Sequence, residues 1–68
     1  MNIHKIKELE IAAFLIISGH ELVEIKDGEF IFKEDGEIDF TLDAYYKGAK
    51  VEPRLLINKI KELEGLVK

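Results

Sequence analysis

The sequence predicts a small α+β domain in which a two-stranded antiparallel hairpin packs on helices in the order α-β-β-α-α. Three observations carry this. Seven apolar residues run unbroken from Ile11 to Ile17 inside a stretch with helical spacing, Asp27-Gly28 separates two alternating segments, and Pro53 opens a 3.6-period pattern reaching Val67. The 68 residues make one domain, residues 1–68, and folding hides only about 60% of the extended chain's surface at this size. With 47% hydrophobic residues and no cysteine, the chain is globular, and its stability comes from packing or association rather than from disulfides or thiolate metal sites.

Residues 1–17 read as the first helix. Ile6, Leu9, Ala13, Ile16 and Ile17 share one side of the wheel, with Ile3 and Phe14 at its margin, while Ile11 and Leu15 project to the opposite side. The first half is amphipathic and turns His4, Lys5 and Glu8 outward. The second half is apolar all round and therefore needs cover on two sides, from other elements of the chain or from a second copy. Asn2 is a candidate N-cap, and Ser18-Gly19 is a stop in which glycine takes the left-handed conformation without steric cost.

His20 then opens the hairpin as a loop or strand-entry residue, because no second His or Cys lies at ligand spacing. His4 and Glu8 stand four residues apart, a spacing that could grip a metal but that reads as a solvated helix face. Asp27-Gly28 suits a two-residue type I′ turn. That turn pairs Lys26 with Glu29, Ile25 with Phe30, Glu24 with Ile31 and Val23 with Phe32. One face then carries Val23, Ile25, Phe30 and Phe32, and a slip by one residue would expose both phenylalanines.

Glu34-Asp35-Gly36-Glu37 breaks the pattern. From Ile38 to Tyr46 the spacing fits a third strand or a helix, and the flanks decide for helix. Asp35, Glu37 and Asp39 lie where a helix N-terminus favours negative charge, and Lys47-Gly48 ends a helix with a cation and a glycine. Ala49-Lys50-Val51 is a short connector. Pro53 suits the first position of the last helix, where its missing N–H costs nothing. In that helix Leu56, Ile60, Leu63 and Val67 form the apolar stripe, opposite Arg54, Asn58, Lys61 and Gly65.

Taken together, AAFLIISGHELVEI, a hairpin ending FIFKED, the piece AYYKG, and a proline followed by RLLINKIKELEGL resemble a family of small proteins of unknown function encoded by phages, prophages and mobile elements of low-GC bacteria. Lys47 departs from that family's pattern, which has Asn before the glycine. The resemblance implies a helix-hairpin-helix-helix fold and a mobile-element setting, and it brings no activity and no functional residues.

The residues themselves point away from catalysis. No nucleophile–base pair and no phosphate-binding glycine loop is visible, so no catalytic, cofactor-binding or metal-ligating residue is assigned and no cofactor is expected. The acidic run Glu34, Asp35, Glu37, Asp39 and Asp43 lacks the alternation and central glycine of a calcium loop. A run of seven apolar residues is far short of the ~20 that a membrane span needs. Glu8 and Glu10 before it, with no small-x-small site after it, argue against a signal peptide. The expectation is a cytoplasmic protein, mature as written.

Two partner classes follow. The all-round apolar helix and the small size suggest a module that forms a homo-oligomer or docks on a larger protein, with Ile11, Leu15 and Ile57 as candidate exposed apolar anchors; the alternative, of equal weight, is that the last helix covers them fully. Residues 1–46 carry four Lys and eleven Asp or Glu, a charge of −7, against six Lys or Arg and three Glu, +3, in residues 47–68, which recovers the net −4. Hence the alternative is nucleic acid, met by Lys47, Lys50, Arg54 and Lys61 as a small basic face, with the rings of Tyr45 and Tyr46 nearby to stack on bases. The acidic whole weighs against it.

Overall fold

The computed structural model describes residues 3–67. It contains β1 (Ile3–Ile6), α1 (Leu9–Ile17), β2 (Leu22–Lys26), β3 (Glu29–Lys33), α2 (Ile38–Tyr46) and α3 (Pro53–Leu66). The fold is α+β, with a three-stranded antiparallel sheet ordered β1-β3-β2. Among the described residues no helix is long and apolar enough to cross a membrane.

The expected first helix is thus two elements, and the sheet has one strand more than the hairpin. Ile3 pairs with Lys33, His4 with Phe32, Lys5 with Ile31 and Ile6 with Phe30. The reason lies in β3, whose Phe30, Ile31 and Phe32 are all buried. Consecutive apolar residues point to both faces of a strand, and a strand buried on both faces sits between neighbours rather than at an edge. Residues 3–6 supply the missing neighbour. Asn2, the candidate N-cap, lies outside the described residues; Glu8 occupies the cap position of α1 instead, in extended conformation and without a side-chain cap bond. His4 and Glu8 therefore share no helix face, and His4 Nδ1 lies 3.1 Å from Glu34 Oε2.

The hairpin turns at Asp27 (φ 52°) and Gly28 (φ 77°), both left-handed as a type I′ turn requires. Lys26–Glu29, Ile25–Phe30 and Glu24–Ile31 pair as expected, but Phe32 pairs with Leu22, because the ladder shifts register between Leu22 and Glu24. Val23 is the residue left over. It is 46% exposed, and Leu22 takes its place on the inner face. A bulge of this kind lets the more buried side of β2 follow the twist of the sheet.

The inner face joins Ile6, Phe30 and Phe32 to Ile11, Ala12, Ala13 and Leu15 of α1, Ile38 of α2 and Leu63 of α3 in one core. The all-round apolar helix is covered by its own chain: α3 packs along α1, α2 packs beside it, and the sheet lies beneath. On the outer face the cross-strand neighbours of Ile31 are Lys5 and Glu24. The aliphatic stems of those side chains offer it cover.

Candidate interaction surface

Two features stand apart from the core: a polar chain centred on the buried His20 and an exposed flank of α3. The polar chain begins with the end of α1. Gly19 (φ 98°) reverses the backbone, so that the His20 N–H donates to the Leu15 carbonyl and the Gly19 N–H to that of Ile16. This paired arrangement satisfies carbonyls left over at a helix end, and it turns the His20 ring inward. The side chain is 5% exposed. Its Nδ1 lies 3.3 Å from Asp35 Oδ2 and its Nε2 lies 2.7 Å from Thr41 Oγ1. A carboxylate only accepts, so in the neutral ring Nδ1 carries the hydrogen toward Asp35 and Nε2 accepts from the Thr41 hydroxyl.

Asp35 Oδ1 in turn accepts from the Glu37 backbone N–H at 2.9 Å. That bond, with the help of His20, holds the Asp35 carboxyl below its usual value near 3.8 against the opposing desolvation. A depressed folded-state pKa stabilises the fold above the unfolded value and loses that contribution as pH falls through the folded one. Stability should therefore decline below about pH 3.8, and Asp35→Asn should flatten that part of an acid-unfolding curve followed by circular dichroism. The order carboxylate, imidazole, hydroxyl is that of a nucleophile and its base. Here, however, the three groups join the end of α1, the β3–α2 loop and the first turns of α2, and neither surface groove described below reaches them. The acidic run is likewise dispersed, Glu34 toward His4 and Asp35 toward His20.

Of the three expected anchors, Ile11 is 7% exposed and Leu15 fully buried, both inside the core, so neither can meet a partner. The correction has a simple cause: the side of α1 that they occupy is the one that the sheet and the other helices need. Ile57 alone is exposed, at 52%. Of the five residues of the basic face, Tyr45 is half-buried with its ring centroid 5.1 Å from that of Phe14, and burial pushes its phenol pKa up, Glu10 and Tyr46 adding to the effect. Lys47 pairs with Asp43 at 2.9 Å. Lys50, Arg54 and Lys61 are exposed.

An apolar surface that none of these residues covers lies on the flank of α3. Leu55 and Leu66 are 52% and 64% exposed. Lys59 and Glu62 stand between them, joined at 2.7 Å. Residues 55, 59, 62 and 66 follow the i, i+4, i+7, i+11 spacing of a helix-pairing seam, turned about 100° on the wheel from the core stripe. The seam borders a groove of about 470 Å³ lined by Ile16, Leu22, Lys59, Glu62, Leu63 and Leu66. A second groove, of about 320 Å³, lies across the helix between Lys7, Leu9, Gly28, Phe30, Glu64 and Val67. The signal was present in the sequence: leucines at 55 and 66 belong to neither the core stripe nor the polar stripe opposite.

No curated protein and no solved structure matches the chain. The profile of one family, described as "Domain of unknown function (DUF5659)", matches residues 1–68. Since that match runs the length of the sequence, the chain belongs to the DUF5659 family.

Proposed function

We propose that this chain is a non-enzymatic protein-interaction module that self-associates, acting in the cytoplasm as part of a phage or mobile element. The observation that carries the reading is the α3 flank, where Leu55 and Leu66 remain half or more exposed and Leu66 lines an apolar groove. In a domain that buries so small a core, a helix with a second apolar flank is a surface for another helix. The mobile-element setting rests on the resemblance of the AYYKG piece and its neighbours. The non-enzymatic part of the reading rests on the sequence, which carries no phosphate-binding glycine loop and no motif of a known catalytic class.

Nucleic-acid association is the weaker reading. Lys50, Arg54 and Lys61 support it, but Tyr45 is engaged with Phe14 and Lys47 with Asp43. Three dispersed cations on an acidic protein make a weak phosphate surface.

Light scattering after size exclusion, at low and high salt and with the absorbance ratio monitored, tests both. The expected result is a dimer free of nucleic acid that persists at high salt, and a Leu66→Lys variant that elutes as a folded monomer with unchanged circular dichroism. A wild-type monomer would overturn the proposal. A species carrying nucleic acid that salt releases would replace it with the basic face.

A further inference from the structure

The flank of α3 has a property that chooses its occupant. Leu55 and Leu66 are centred on the point midway between Ile60 and Lys61, and so are Lys59 and Glu62. The seam is therefore self-complementary in the antiparallel sense: reversed end for end, it presents Leu where Leu stood and the opposite charge where each charge stood. We infer that the partner of this surface is a second copy of the chain, with the two α3 helices antiparallel about a twofold axis at that midpoint. This inference rests on the self-association proposed above and specifies its geometry.

A twofold interface uses the same patch on both copies. In this arrangement Leu55 of each copy lies against Leu66 of the other, and Lys59 of each against Glu62 of the other. The two leucines of one helix are about 16 Å apart at 1.5 Å rise per residue, so two apolar contacts bracket two central ion pairs. Glu62 is free to serve both partners, since its side chain is 63% exposed while it pairs with Lys59. At the Leu66 end the groove floored by Ile16 and Leu22 gives Leu55 of the second copy a hole to enter, as a knob enters a hole between packed helices. A parallel pairing has no such match, because it would set Lys59 against Lys59 and Glu62 against Glu62. Ile57 lies on the opposite flank and takes no part.

Charge reversal tests this geometry without touching the core. Lys59→Glu alone sets Glu against Glu62 of the other copy at both sites, and Glu62→Lys alone sets Lys against Lys59. Each should weaken self-association about tenfold, as two attractions become two repulsions. Mixed in equal amounts, the two variants should form a heterodimer of wild-type affinity, since both ion pairs are then restored, one in its original sense and one with its signs exchanged. Lost intramolecular pairing cannot explain such a rescue, because within each variant residues 59 and 62 still carry like charges after mixing. The double variant Lys59→Glu/Glu62→Lys should also dimerise like the wild type.

Sedimentation equilibrium on each protein and on the mixture reads the outcome. Rescue on mixing establishes the antiparallel pairing. A wild-type dimer with single variants unweakened, or weakened but not rescued on mixing, overturns it while leaving self-association intact on another face. A wild type that stays monomeric throughout the dilution series overturns both.

Discussion

Leu15→Lys is expected to leave the chain unfolded, with the dispersion of its proton NMR spectrum collapsed and its helical circular dichroism signal lost. Leu15 is completely buried at the centre of the shared core. Removing a buried leucine costs about 2–5 kcal/mol, and an unpaired ammonium in its place costs several more. A domain of this length has roughly 3–10 kcal/mol in total. The contrast with Leu66→Lys is the useful part. Both place a lysine on an apolar helix position, yet Leu66 is 64% exposed and its replacement should leave the fold intact while removing the partner. If Leu15→Lys instead gave a folded monomer, the core described above would be wrong, and the seven-residue apolar run would be an interface after all.

Phe32→Ala is expected to cost about 3–5 kcal/mol in a urea unfolding curve. Phe32 has no exposed surface and lies opposite His4 on one side and Leu22 on the other. Val23→Ala should change stability by only about 0.5 kcal/mol or less, because the bulge leaves Val23 half outside. The pair of measurements reads the register directly. In the regular hairpin that the turn alone predicts, Val23 would pack against Phe32 and its truncation would be felt as a core mutation. A large loss for Val23→Ala with a small one for Leu22→Ala would show that the bulge is misplaced.

Much of this fold is legible in the sequence wherever the signal is local. Asp27-Gly28 specifies its own turn, since few residues accept a positive φ at both positions, and the three pairs nearest that turn follow from it. Gly19 and Gly48 end α1 and α2 by the same freedom at φ 98° and 90°. The acidic flank and the Lys47-Gly48 end suffice to make Ile38–Tyr46 helical. Pro53 and the stripe Leu56, Ile60, Leu63 place α3 and its buried side.

What the sequence did not show depends on partners distant along the chain. The spacing of Ile3 and Ile6 is compatible with a helix turn, and only β3, with apolar residues on both faces, makes those residues a strand. The shift that puts Leu22 rather than Val23 against Phe32 answers to the twist of a three-stranded sheet, not to the two residues of the turn. On a lone helix Ile11 and Leu15 face outward, because a lone helix has an outside. Once sheet, α2 and α3 close around α1 it has almost none, and the apolar side chains left outside lie elsewhere, among them Leu55, Ile57 and Leu66 of α3 and Phe40 and Tyr46 of α2. His20 has no motif that announces it, and its chain to Asp35 and Thr41 exists only because the end of α1 is folded against the start of α2. The sequence by itself determined the hairpin turn, the glycine ends of α1 and α2 and the periodicity of α3, where neighbours within a few residues set the backbone. The tertiary structure decided the third strand, the register beyond the turn and which apolar side chains remain outside, because each of these is a competition for burial among elements far apart in the chain.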